Sequence, residues 1–466
     1  MNSTRTSLAP AAGPRTRRSV GVRPVAAPGI DRQGKLNLFQ RTMLRWRELR
    51  PYSAAHVVRV AKPLDEARLH DLINRRFEAL GLTGFVLDPD AGSFRREGGT
   101  ADLALRVLAE SADPFAALWT ETEAQLNTPF PRAGRMSAFR FFAIAGGDGF
   151  YLGLVYDHFI AGGDAIVLLL KGIVDDYSDG GARAHPAPYP RLAPPAYRRL
   201  LLRHPLSALR AMLRLPSLIA GARRVVRPPA SRSQDPYTAL AYLRLDPDDV
   251  EGLRRAAAAW DVTLNDLLLA SLLLALAPLA PERDRAPRRR ELAVASIVNI
   301  RDDLPEATDA FGPFLASFQI SHAVPPGITL RELARDVHAG SARVKSHRLY
   351  LPALAALGVG GLMWRFLSPA QRLRFFSKYH PAWGGLSLLN VNALWERAGS
   401  GAAPAEYLRL VCTGPACPLV FTVTAVRDVL HVGISFCISV FSRATVEGVK
   451  ASFVRAVAAL REGTHG

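Results

Sequence analysis

Two kinds of apolar pattern alternate along the chain. Short runs rich in Val, Ala, Phe and Leu predict strands at 55–60, 240–245, 292–299 and 314–321. Between them, apolar positions recur at helical spacing. Leu69, Leu72, Ile73, Phe77 and Leu80 share one face of a helix predicted over 64–80, and Pro114 opens another through 126. Residues 137–145 and 150–156 read as a hairpin closed by Gly146-Gly147-Asp148-Gly149, followed by a helix that buries Ile166, Val167, Leu169, Leu170, Ile173, Val174 and Tyr177. In the second half, Asp246-Pro247 starts one helix. Thr263 and Asp266 cap another that is apolar on all sides as far as 279, as a core helix is. Thr329 and Glu332 cap a third, 421–427 and 431–437 form a second hairpin, and a last helix from Ser442 presents Val446, Val449, Phe453, Val457 and Leu460. Alternating strands and helices without a short repeat predict an α/β fold in two halves.

Length and charge refine that division. At 466 residues the chain exceeds one ordinary core, so two subdomains of roughly 150–200 residues are expected. We divide it into a basic tail without fixed structure (1–30), an N-terminal subdomain (31–180), a basic crossover (181–236) and a C-terminal subdomain (237–466). The formal net charge is +18, and no acidic residue stands between Asp179 and Asp235. Over 197–226 arginines interleave with leucines. Such a segment suits an anionic membrane surface, an acidic carrier protein or a phosphate-bearing cofactor, and equally a solvated linker. Nucleic acid fits poorly, because the arginines accompany Leu rather than exposed aromatics. No apolar run is long enough for a membrane helix, and the first thirty residues lack the apolar stretch of a secretory signal. Cys412, Cys417 and Cys437 lack metal-ligand spacing and suggest reduced thiols. The expected location is cytoplasmic, or peripheral at the inner membrane surface if the crossover binds lipid.

The candidate chemistry lies between the first hairpin and its following helix, in Asp157-His158-Phe159-Ile160-Ala161-Gly162-Gly163-Asp164. A histidine where a strand turns beside two glycines can expose one ring nitrogen to a channel while backbone contacts hold the other. Neutral near pH 7, it is the usual general base for a hydroxyl or amine. Capping a buried strand is the plainer alternative. No phosphate loop, dinucleotide fingerprint, nucleophile elbow or metal-binding spacing competes.

Several stretches in this order resemble the condensation-domain and chloramphenicol-acetyltransferase-like acyltransferase superfamily. Its members include nonribosomal peptide condensation domains, polyketide-associated acyltransferases, wax ester synthases and plant HxxxDG acyltransferases. The resemblance runs from about residue 36 to 460. "VVRVAKPLDEARLHDLINRRFEAL" is similar to the opening strand and helix, and "LNTPFPRAGRMSAFRFF" to the segment before the active-site hairpin. "YDHFIAGGDAIVLLLKGIVDDY" occupies the place of the HHxxxDG motif. "TLNDLLLASLLLALA", "ASIVNIRDD", "FGPFLASFQI" and "LSLLNVNAL" resemble later helices and strands of the channel.

The resemblance implies two mixed-sheet subdomains flanked by helices with a channel between them. An acyl group would pass from an acyl carrier protein or acyl-coenzyme A thioester, as co-substrate, to a hydroxyl or amine, with His158 as base and no tightly bound cofactor or metal. Aligned on His158 and Gly163, the first motif His is Asp157 and the motif Asp is Gly162. Asp157 would orient the ring or face solvent. Arg301 matches the arginine that partners the missing Asp, so Asp164 is the candidate substitute; otherwise the member is catalytically weak. Asn390 and Asn392 stand where relatives line the channel, with strand-end hydrogen bonding as the alternative. Two further readings remain open: a non-catalytic condensation-like protein that binds a carrier or lipid, and a membrane-surface wax ester or diacylglycerol acyltransferase-like enzyme.

Overall fold

The computed structural model describes residues 33–179, 215–229, 235–304, 310–379, 381–397 and 403–461, with isolated positions between 202 and 213. The tail at 1–30 lies outside the described residues, as does most of the 181–236 crossover, of which the helix Leu215–Arg224 is described.

Two central sheets dominate. The first has five strands in the order Tyr407–Val411, Ser53–Val60, Gly149–Asp157, Phe139–Gly146 and Leu105–Leu108, antiparallel except at the last pair. The second has six, in the order Leu315–His322, Leu292–Asn299, Gly384–Asn390, Leu419–Val426, Val429–Cys437 and Thr238–Leu245. There Gly384–Asn390 runs parallel to both neighbours and the other pairs are antiparallel. A small sheet of short strands (Gln33–Lys35, Ser93–Arg96, Phe85–Asp88, Gly134–Arg135) lies beside the first. The class is α/β with mixed sheets flanked by helices, as the sequence pattern predicts.

Local chemistry accounts for most boundaries. Gly149–Asp157 and Val429–Cys437 are buried along their whole length, which is why both read as nearly unbroken apolar runs. The all-apolar helix Leu264–Leu276 is packed in the second core, capped by the Thr263 side chain. Thr329 and Glu332 form the reciprocal capping box of Leu330–Ser346, and Ser442 caps Arg443–Ala458. The helix expected over 64–80 is Glu66–Ala79, because Asp65 takes the capping position. Among the described residues no single helix is long and apolar enough to cross a membrane.

Some elements carry no clear sequence signal. The helix Leu38–Leu49 precedes the first predicted strand, and Leu351–Met363 and Pro369–Tyr379 fill the long interval before Gly384. The strand Tyr407–Val411 matters most. It belongs by sequence to the second half, yet it pairs with Ser53–Val60 at the edge of the first sheet. The Thr422 hydroxyl, from the second sheet, donates to its Arg409 carbonyl oxygen. Gly433 lies so close that a Cβ there would stand 2.3 Å from the same oxygen. This strand clamps the two sheets together.

Candidate active site

Strand alternation assembles the site. Side chains two residues apart share a face, so Tyr156 and His158 emerge together where Gly149–Asp157 ends. On the neighbouring strands Ala54 pairs with Tyr156, and His56 stands opposite Arg409. Tyr52, His56, Tyr156, His158 and Arg409 all line one cavity of about 570 Å³. Its far wall comes from the second sheet through Gly385, Leu386, Ser387, Val420 and Thr422, and one end from Phe39, Met43 and Trp46 of the helix Leu38–Leu49.

His158 is anchored by its backbone, whose N–H donates to the Tyr52 carbonyl at 3.2 Å. Gln40 reaches the next residue, donating from Nε2 to the Phe159 carbonyl at 3.1 Å. The ring packs against Tyr52 and Tyr156, with centroids 5.4 and 6.0 Å away. The sequence reading has backbone contacts holding one ring nitrogen; instead Nδ1 is buried with no hydrogen-bond partner among the described residues, and aromatic packing sets the ring. Burial, reinforced by the nearby Arg409 cation, lowers the His158 pKa to about 4. The imidazole is therefore neutral at pH 7, the form that accepts a proton.

Asp157 neither orients His158 nor faces solvent: alternation turns it to the other face, where it is buried and ion-paired with Arg47. Arg301 donates from Nε to Asp164 Oδ2 at 3.0 Å and from Nη1 to the Ala310 carbonyl at 2.7 Å, with its guanidinium 4.4 Å from the Phe314 ring centre. Asp164 Oδ1 accepts the Ala165 N–H at 2.9 Å. A Cβ on Gly162 would come within 2.8 Å of that oxygen. The Asp164 carboxylate thus occupies the space beside Gly162 that a side chain there would enter. Gly163 lines the cavity, where a Cβ would crowd Arg409 Nη1 at 3.3 Å.

Asn390 and Asn392 are not brought to the cavity. Asn390 is exposed and its side-chain oxygen accepts the Ala393 N–H at 3.3 Å. Asn392 exchanges two hydrogen bonds with the Arg427 backbone, at 2.6 and 2.8 Å. The strand stops at Asn390 and turns into the short helix Val391–Arg397, so Asn390 serves that turn and Asn392 the hairpin turn at Arg427, and Ser387, earlier in the strand, lines the cavity instead.

No protein-family model matches the sequence, and no curated protein does. Solved structures do match. The first condensation domain of the calcium-dependent antibiotic synthetase, in complex with a substrate analogue, has a TM-score of 0.66 at 16% identity, covering 94% of this chain and 98% of that one. The condensation domain of the Monacolin K polyketide synthase MokA gives 0.69 at 15%, covering 93% and 98%. This chain has the condensation-domain fold. The same fold is shared by the EpoB cyclization-docking bidomain from Sorangium cellulosum, with a TM-score of 0.65 at 13% identity, covering 93% of this chain and 85% of that one.

Within this condensation fold the cavity holds residues the sequence reading missed. His56 Nδ1 lies 2.8 Å from the Tyr407 hydroxyl and Nε2 3.5 Å from that of Tyr156. Burial holds His56 well below its usual range, so it too is neutral. Arg409 is 6% exposed, and burial lowers it to about 10, which leaves it cationic at neutral pH. The signal was there: one His in "SAAHVVRV" and one Arg in "YLRLV" stand among mainly apolar strand residues. Cys412 and Cys417 also line the cavity, but burial raises both thiols, Cys417 to about 12, so neither offers a thiolate nucleophile at neutral pH.

Proposed function

We propose that this chain is a condensation-type acyltransferase that moves an acyl group from a thioester donor to a hydroxyl or amine, with His158 as general base. One observation carries the reading: a neutral histidine at the end of a central strand faces a cavity closed by a second sheet of the same chain. The acceptor oxygen or nitrogen attacks the thioester carbonyl while His158 takes its proton. The tetrahedral intermediate expels the sulfur, and the imidazolium returns the proton to the leaving thiolate. Asp164 and Arg301 hold the loop between strand and helix in place. Synthetases and polyketide synthases among the structural neighbours favour a biosynthetic setting with a carrier-bound thioester as donor; acyl-coenzyme A presents the same reactive group.

The reading is tested by thiol release from acyl-carrier and acyl-coenzyme A donors with a panel of alcohols and amines. His158→Ala should lower transfer by roughly two to four orders of magnitude with the fold retained. The rate should hold from neutral pH to about pH 5 and fall as pH drops through about 4, because the protonated ring accepts no proton. The second reading, a non-catalytic binder of a carrier or lipid, draws on the unpartnered Nδ1 of His158. It requires carrier binding without transfer, unchanged by His158→Ala.

A further inference from the structure

Arg409 is a buried cation that no acid among the described residues accompanies. Its Nε donates to Thr424 Oγ1 at 3.1 Å, and its Nη2 to the carbonyls of Ser387 and Val423 at 2.7 and 2.8 Å. All three acceptors are neutral. Among the described residues Nη1 has no hydrogen-bond partner, and no carboxylate pairs with the guanidinium. Two other buried arginines near the motif do have acids, Arg47 with Asp157 and Arg301 with Asp164. Arg283, also buried, donates from all three of its guanidinium nitrogens to backbone carbonyls. Arg409 alone of these four combines a missing acid with an unused terminal nitrogen, and it lines the same cavity as His158.

The free nitrogen is directed at the first turn of the motif helix Gly163–Ser178. The Cβ position of Gly163 is 3.3 Å from Nη1 and 3.6 Å from His56 Cε1. The amides of Gly163 and Asp164 open that helix without a backbone partner among the described residues, and the preceding Gly162 has no side chain to cap them. A helix start with unused amides favours an anion. Here a buried guanidinium stands beside it, at the wall of a cavity that Phe39, Met43 and Trp46 also line.

We propose that Arg409, beside the first turn of the motif helix, binds the carboxylate of the acceptor, so that the substrate accepting the acyl group is a free amino or hydroxy acid with an apolar body. The proposal rests on the acyltransferase reading for the word acceptor. A transient oxyanion would leave the guanidinium unpaired through most of the cycle, whereas a carboxylate neutralises it from the moment of binding. The apolar side chains of Phe39, Met43 and Trp46 in the same cavity receive the body of such an acid. The carboxylate then sets where the neighbouring hydroxyl or amine meets His158.

The test is calorimetric titration of the full chain with 3-phenylpropionate and with 3-phenylpropionamide, which has the same shape and no charge. The wild type should bind the carboxylate at least about tenfold more tightly than the amide, the scale of a charge-assisted hydrogen bond. Arg409→Gln should abolish that preference and Arg409→Lys should keep part of it, with circular dichroism reporting the fold. Equal binding of the two probes by the wild type, or no carboxylate binding at all, overturns the proposal whether or not the variants fold. So does a folded Arg409→Gln chain that still prefers the carboxylate. Carboxylate binding in a chain that transfers no acyl group would leave this site standing and the transferase reading fallen. Transfer indifferent to the acceptor's carboxylate would do the reverse.

Discussion

Asp164, two residues past Gly162, is the acid that accompanies Arg301. The Arg301 guanidinium is buried, packed on Phe314, and paired with Asp164 at 3.0 Å. Removing one member of such a pair leaves a desolvated charge, so Asp164→Asn should cost about 3 kcal/mol in denaturant unfolding. The space argument adds a sharper expectation. Gly162→Asp alone should destabilise the fold, since its Cβ would crowd Asp164 Oδ1 at 2.8 Å. Combined with Asp164→Ala it should cost less than the two single changes summed, because the new acid inherits the vacated room. Strict additivity in that double-mutant cycle would show that the positions do not share one space.

At the scale of elements, period-two alternation does most of the work at the site. It sends His158 to the cavity and Asp157 to Arg47, and it aligns His56 with Arg409 across two strands. The strand Tyr407–Val411 is the element on which both sheets depend. Gly433 is required where it approaches, since a Cβ there would meet the Arg409 carbonyl oxygen at 2.3 Å, and backbone yields less readily than a flexible side chain. Gly433→Ala should therefore cost about 3 kcal/mol by overpacking, read as a lowered Tm. Because the strand also carries Arg409, the same change should weaken 3-phenylpropionate binding in chains that remain folded. A variant with wild-type Tm and wild-type binding would remove the clamp from the account.

For the whole molecule, the two cores do not divide as the sequence does. The core around the first sheet takes in Ile300, Leu304, Phe311, Phe314, Val391, Trp395 and Tyr407 from the second half, so residues 31–180 do not make it alone. The second core is built around the helix Leu264–Leu276 and the six-stranded sheet. Over the whole chain the net charge of +18 includes the acid-free run between Asp179 and Asp235. Changing Arg198, Arg199, Arg203, Arg210 and Arg214 to Gln should raise the KM for an acidic carrier donor and leave kcat nearly unchanged. Rising salt should mimic the change in the parent, since exposed charges are screened beyond about 8 Å at physiological ionic strength. A donor KM indifferent to both would leave the segment as a linker.

The chain by itself determined its α/β class, the capped helices at Thr263, Thr329 and Ser442, both hairpins, and the placing of His158 at a strand end. Each is written locally, in apolar periodicity, caps and turn glycines a few residues apart. The distance between Asp164 and Arg301 also met the sequence-based expectation. Only the tertiary structure decided the rest. His56, Tyr407 and Arg409 become neighbours through strand pairing across some 350 residues of chain, as the bond between His56 and Tyr407 records, and no local pattern encodes a pairing register that long. Asn390 and Asn392 went the other way: the resemblance puts them at a channel wall, but the strand ends at Asn390 and a helix begins, so the backbone groups of Ala393 and Arg427 claim the two amides.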